Sequence, residues 1–219
     1  MRWLLTYRRL AAFGLIVAIL AALAIARPET AAAGLGSTQR GASVRDVQVR
    51  LAELRFMPTS QVDGRLGPRT KDAITAFQQW HGLAPDGIAG PRTLAKLSTV
   101  ATPRPASNGP SRRIEVYRAK GITLLIDHGS VTRVIHSSAG KRGFETPAGS
   151  YRIVRKVLKD WSRPYGAWMP YASYFHGGYA LHEGSVPTYS ASHGCVRLTS
   201  WDAADAYRFA TVGTAVIVR

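Results

Sequence analysis

Residues 179–198 read Tyr179-Ala180-Leu181-His182-Glu183-Gly184, then Ser185 to Ala191, then Ser192-His193-Gly194-Cys195-Val196-Arg197-Leu198. The only cysteine of the chain stands here, two residues after one histidine and 13 after another. One cysteine rules out an intrachain disulfide framework and any multi-cysteine zinc or iron–sulfur site. A buried inert thiol, an intermolecular bridge and a reactive thiol remain. A thiol nucleophile needs an imidazole to take its proton and hold the resulting ion pair. It also needs backbone N–H groups facing the oxyanion of a tetrahedral intermediate. The two histidines offer the first. Gly194 lets the backbone approach closely, so the amides around Gly194 and Cys195 offer the second. Arg197 would grip a carboxylate through a forked contact or sit in a structural ion pair. A metal site built from His176, His182, His193 and Cys195 matches no zinc spacing, so no metal and no cofactor is expected.

Outward from this stretch the periodicity is that of strands. Ile114 to Tyr117, Ile122 to Ile126, Val131 to Ile135, Tyr151 to Val157 and Ala215 to Val218 read as strands. Turn signals separate them at His128-Gly129-Ser130, Gly140-Lys141 and Thr146-Pro147-Ala148-Gly149. One helix is expected near Ser200–Phe209, with Asp202 in its first turn and Ala203, Ala204 and Tyr207 packing inward. Residues 113–219 therefore read as a mainly-β sandwich or partial barrel.

Residues 37–98 have a different grammar. Asp63-Gly64-Arg65-Leu66-Gly67-Pro68-Arg69-Thr70 recurs as Asp86-Gly87-Ile88-Ala89-Gly90-Pro91-Arg92-Thr93. Asp-Gly makes a tight turn, and the later Gly-Pro pair starts a helix where the missing N–H costs nothing. Ser43 to Asp46 has the form of a capping box. Val44, Val47, Leu51 and Leu54 share one helical face, as do Ala73, Ile74, Phe77 and Trp80, and Gly82 stops that second helix. Leu94 and Leu97 mark a third. The expected fold class is thus α+β and multidomain: a small three-helix bundle, a Pro-rich linker at 99–112, then the β domain.

Residues 1–36 start with Arg2, Arg8 and Arg9, followed by an uncharged apolar run from Leu10 to Ala26. That is the pattern of an export signal, either cleaved or kept as a membrane anchor at residues 10–26, and it places the rest outside the cytoplasm. There an unpaired cysteine is unusual, which favours a working thiol. The net charge is +16, from 29 Lys and Arg against 13 Asp and Glu. It is spread along the chain rather than gathered in a basic helix or tail, so it fits anionic wall polymers or a membrane surface and no nucleic-acid partner is expected.

Two resemblances sharpen these readings. The paired Asp-Gly-x-x-Gly-x-x-Thr turns, with Ala73-Ile74-x-x-Phe77-Gln78 and Gly82-Leu83, resemble the peptidoglycan-binding type 1 domain, which implies glycan or stem-peptide binding. Ser192-His193-Gly194-Cys195-Val196-Arg197-Leu198, Leu181-His182, Ser138-Ala139-Gly140 and Thr146-Pro147-Ala148-Gly149 resemble the L,D-transpeptidase catalytic domain. That resemblance implies Cys195 as nucleophile, His182 as general base and acid, and the Gly194 and Cys195 amides as oxyanion donors. It implies that Ser192 and His193 shape the site and that Arg197 organises it. Met169 and Tyr171, in Ala167-Trp168-Met169-Pro170-Tyr171, become candidate walls of the substrate cleft. The implied activity is cross-linking of third residues of peptidoglycan stems, without cofactor. A carboxypeptidase, a protein-to-wall anchoring enzyme and a non-catalytic wall-binding protein are the alternatives. Glu183 departs from the pattern, since the family usually has a small residue after the histidine.

Overall fold

Each Asp-Gly turn closes on a buried glutamine. A computed structural model describes residues 41–106 and 109–219. In it Gln48 of α1 (Gly41–Glu53) donates to Asp63 Oδ1 at 2.8 Å, the Arg65 carbonyl at 3.0 Å and Thr70 Oγ1 at 2.9 Å. Its Oε1 accepts the Gly64 N–H at 2.7 Å. Gln78 of α2 (Pro68–Trp80) makes the same set with Asp86, Ile88, Thr93 and Gly87. Gly64 and Gly87 have φ of 77° and 70°, the left-handed region that the turn demands. Pro68 opens α2 and Pro91 opens α3 (Pro91–Thr99), each after an extended glycine. Two local expectations change. α1 begins at Gly41, so Ser43 lies inside the helix and is not its cap. Leu94 points to solvent, and only Leu97 of α3's two leucines is buried.

The β domain holds β1 (Arg113–Tyr117), β2 (Ile122–Asp127), β3 (Ser130–Ser138), β4 (Gly149–Arg152), β5 (Arg155–Ser162), β6 (Ala167–His176), β7 (Tyr179–Glu183), β8 (Val196–Leu198), α4 (Ser200–Phe209) and β9 (Ala215–Val218). The strands form a nine-stranded sheet in the order β4-β9-β1-β2-β3-β8-β7-β6-β5. The expected strand Tyr151 to Val157 is two strands, one at each edge of this sheet. Only Ile153 and Val154 separate them, donating their N–H groups to Thr214 and Tyr174 respectively, both at 2.8 Å. Two residues reach at most about 7 Å. The two edges therefore lie close together, and the sheet curls into the barrel-like form.

β2 is buried on both faces, which is why its sequence is a continuous apolar run rather than an alternating one. Ile122, Leu124 and Ile126, with Val131 and Val134, pack into one core with α1, α2 and α3. Leu125 packs on the other side with Ile114, Val116 and Ile135, joined by Ala203 and Ala206 of α4. The helical bundle and the sheet thus share a core. Each fully buried Val, Leu or Ile contributes about 1.5–3 kcal/mol. Residues 100–106 lie along both parts: Arg50 donates to the Val100 carbonyl at 2.6 Å, and the Ala106 N–H meets Glu115 at 3.2 Å. α4 spans the expected residues, but its buried face is Asp202, Ala203 and Ala206 rather than Ala204 and Tyr207. Asp202 is tolerated there because Arg133 of β3 meets it at 2.6 Å.

The expected export segment, residues 1–36, lies outside the described residues. Among the described residues no helix is long and apolar enough to cross a membrane. Replacing Gln78 by Leu would orphan the Gly87 N–H and the Thr93 hydroxyl inside the bundle. The expected loss is about 1–3 kcal/mol in denaturant unfolding; an unchanged midpoint would show that the turn holds without its glutamine.

Candidate active site

β7 and β8 run parallel as neighbours, with His182 opposite Arg197 and Leu181 opposite Val196. Cys195 sits just before β8, and so lies beside His182's strand. The loop that delivers it is closed by the Ser192 hydroxyl, which accepts the Gly194 N–H at 3.0 Å and donates to the Cys195 carbonyl at 2.5 Å. Gly194 has φ of 118°, and a Cβ there would stand 2.4 Å from the Tyr179 ring. No side chain fits. Buried Thr146 ties the loop from the other side, donating to the Gly194 carbonyl at 2.7 Å and accepting the Gly140 N–H at 3.0 Å. Lys141 donates its N–H to the Ser192 carbonyl at 3.0 Å, and Ser192 donates its own to Ala139 at 3.0 Å.

His182 Nδ1 lies 2.6 Å from the Glu183 carbonyl. A carbonyl only accepts, so Nδ1 carries the proton and Nε2 is the basic nitrogen. Cys195 is partly exposed and its Sγ lies 3.7 Å from the Gly178 carbonyl. Two clefts meet at Cys195. One of about 300 Å³ also holds His182, Glu183, Ser192 and Arg197. The other, about 580 Å³, is lined by Asp160, Tyr174 and Tyr179 among others. Met169, Tyr165 and His193 line both.

Residues 111–218 match the L,D-transpeptidase catalytic domain, and residues 40–97 match the putative peptidoglycan binding domain. The L,D-transpeptidase of Xylanimonas cellulosilytica, in a crystal structure, is 31% identical; the match covers 88% of this chain and 100% of that one, with a TM-score of 0.74. This chain belongs to the L,D-transpeptidase family. A second L,D-transpeptidase structure, from Stackebrandtia nassauensis, shares the fold at 24% identity and a TM-score of 0.53, over 87% of this chain and 97% of that one. Among curated proteins, an N-acetylmuramoyl-L-alanine amidase of Bacillus licheniformis is 44% identical over 66 residues, 28% of this chain. A zinc D-Ala-D-Ala carboxypeptidase of Streptomyces albus G is 42% identical over 64 residues, 29% of this chain. The chain covers only 18% and 25% of those two proteins. The match over residues 40–97 points to a cell-wall context.

In this transpeptidase most of the expected residues converge. Cys195, His182, Ser192, His193, Arg197 and Met169 all line the smaller cleft. The Arg197 side chain makes no ion pair or hydrogen bond among the described residues, so its guanidinium is available in that cleft. Tyr171 does not join them. Its φ is 57°, left-handed inside a strand, and its ring packs edge-on against Tyr207 of α4, with centroids 5.9 Å apart. Gly194 is also placed differently from expectation: its N–H is already spent on Ser192, so it is not a waiting oxyanion donor. His176 stacks on Tyr179 and lies tilted against Tyr151, outside the smaller cleft.

Sequence reasoning missed Thr146 as a tie to the cysteine loop, and it missed the aromatic wall. Tyr165 stacks on His193 at 4.6 Å, while Phe144 meets the same ring edge-on at 4.9 Å. The clustering of Trp161, Tyr165 and Trp168 around Pro164-Gly166 was the available signal: a hairpin tip rich in exposed aromatics beside the site.

The electrostatics revise one expectation. Burial pushes the His182 imidazole down to about 4; the Glu183 carbonyl opposes this and Arg197 adds to it. Burial also pushes the Cys195 thiol up, against weaker pulls from the Ala180 backbone and Arg197. Both shifts run toward the neutral forms of thiol and imidazole. Alkylation of Cys195 by iodoacetamide is expected to be slower at pH 7 than that of a free cysteine, rising about tenfold per pH unit toward pH 9. A rate already level below pH 7 would mean a standing thiolate. Because its folded-state value lies below the ordinary 6.5, His182 supports folding above that pH and withdraws support as pH falls through about 4. A second check is Thr146→Val, which orphans the Gly194 carbonyl and the Gly140 N–H. It should cost about 1–3 kcal/mol in urea unfolding and slow every reaction of Cys195; wild-type values for both would remove Thr146 from the site's support.

Proposed function

We propose that this chain cross-links peptidoglycan by acyl transfer through Cys195. The observation that carries the reading is the sharing of one cleft by Cys195 and a His182 whose Nδ1 is already occupied, leaving Nε2 as the base. The thiol proton passes to Nε2 as sulfur attacks the carbonyl between the third stem residue and its terminal D-Ala. The Cys195 amide faces the oxyanion. His182 returns the proton to the D-Ala amine as the C–N bond breaks, leaving a thioester. The amine of a second stem then attacks, the C–S bond breaks, and the sulfur regains a proton from His182.

Two clefts meeting at one sulfur suit a reaction that needs two stems. Starting from a neutral pair places the proton transfer inside the acylation step, where burial that disfavours standing charges does no harm. Arg197, unpaired in the smaller cleft, serves a substrate carboxylate. Export by residues 10–26, cleaved or retained as an anchor, would deliver the enzyme to the wall, and its +16 charge would hold it near anionic wall polymers.

Incubation with tetrapeptide muropeptides is expected to give dimers linked between third residues, and none with Cys195→Ala. Tripeptides alone would make it a carboxypeptidase, and stem adducts on protein amines an anchoring enzyme. Intact mass after carbapenem treatment should show one adduct, absent from Cys195→Ala; an adduct that survives the substitution would remove Cys195 as nucleophile.

A further inference from the structure

A cavity of about 370 Å³ lies where the helical bundle meets the β domain, and it shares no lining residue with the two clefts at Cys195. Its size falls within the ~300–1,000 Å³ of small-molecule sites. Two helix stripes wall it. Arg69, Asp72 and Ala73 of α2 have the i, i+3, i+4 spacing of one helical face. Trp201, Ala204, Asp205 and Arg208 of α4 have it too. It is therefore the side-chain faces of these helices that meet at the cavity. One contact crosses between them: the Arg69 guanidinium stands over the Trp201 ring, 5.4 Å from its centroid. Phe56, Met57 and Pro58 add an apolar side, and Arg133 of β3 completes the wall. The acids here are already taken: Asp205 pairs with Arg208 and Asp72 with His136. Arg133 gives Nη2 to Asp202 at 2.6 Å, while its buried Nε and Nη1 donate to nothing. Arg69 is exposed, joins no ion pair and makes no side-chain hydrogen bond among the described residues. The wall is rich in donors and short of acceptors, and Arg69 is the donor that a ligand reaches directly.

We propose that this junction cavity is a second, non-catalytic site for a stem peptide, in which the Arg69 guanidinium grips a stem carboxylate and Trp201 packs against the peptide's apolar groups. The choice of peptidoglycan as the source rests on the function proposed above; the need for an acidic, partly apolar ligand rests on the cavity alone. A guanidinium fork matches a carboxylate through two parallel hydrogen bonds, and stacking on the indole holds the fork in one orientation. An uncharged glycan would leave Arg69 unanswered. A phosphodiester polymer would answer Arg69 and leave the apolar side unused. A short acidic peptide answers both. The site needs α2 and α4 together, so neither the bundle nor the β domain forms it alone. Only Thr199 separates α4 from β8, the strand that carries Arg197. A stem held here keeps its strand beside the catalytic domain and raises the effective concentration of neighbouring stems at Cys195.

The test localises the ligand. A stem tripeptide carrying a photoreactive diazirine is mixed with the full chain and irradiated, and the adducts are mapped by peptide mass. Adducts are expected within residues 56–61 or 201–208, whether or not others form around Cys195. Their yield should fall tenfold or more in Arg69→Ala, an exposed position where truncation leaves the fold intact. Arg69→Lys keeps the charge without the fork and should lose less. Adducts confined to the clefts at Cys195 would overturn the proposal, as would a junction yield unchanged in Arg69→Ala. Junction adducts with a glycerol phosphate probe and none with the tripeptide would overturn it too. The acyl-enzyme reading stands or falls separately, on the carbapenem adduct of Cys195.

Discussion

A three-residue strand pairing parallel to its neighbour is the constraint on which the site depends. β8 is too short to hold itself, yet it lies in the interior of the sheet between β3 and β7. Its register sets His182 opposite Arg197 and brings the cysteine to the cleft edge. The loop before it is fixed by the Ser192 hydroxyl and by Thr146, so the sulfur is positioned by hydrogen bonds rather than by a long element. Gly194 is needed because the Tyr179 ring occupies the space where a side chain would go.

The same burial that fixes the geometry sets the chemistry. Burial moves both His182 and Cys195 toward their neutral forms. The helical module that matches the peptidoglycan binding domain also supports the site. Its helices cover one face of β2 and β3, and Gln79 of α2 donates to the Thr188 carbonyl at 3.1 Å, in the stretch that leads to Ser192. The helical module therefore also touches the stretch that leads to Cys195.

Much of this was legible in the sequence, for physical reasons that can be named. Asp-Gly turns and Gly-Pro helix starts are local, so the bundle's loops and the starts of α2 and α3 could be read directly. α4 was read to its exact bounds, yet its inward face was not. A buried Asp202 makes sense only beside Arg133, which is 69 residues away in sequence. The strand break at Ile153 was hidden because both halves have strand-like side chains, and only sheet closure separates them. Tyr171 was set at the cleft by resemblance, which carries neither its left-handed φ of 57° nor its packing on Tyr207. Within the site, the motif residues indicated which side chains would share a cleft. What they could not show was the competition for each polar group: the Gly194 N–H taken by Ser192, and the two neutral partners.

The central claim is that the proton leaves Cys195 for His182 during acylation. The solvent deuterium isotope effect on carbapenem acylation of Cys195, measured at neutral pH, tests it most directly. A neutral pair predicts a clearly slower reaction in D2O, because a proton is in flight in the transition state. An equal or faster rate in D2O would mean that the sulfur was ionised before the ligand arrived, and would contradict the account.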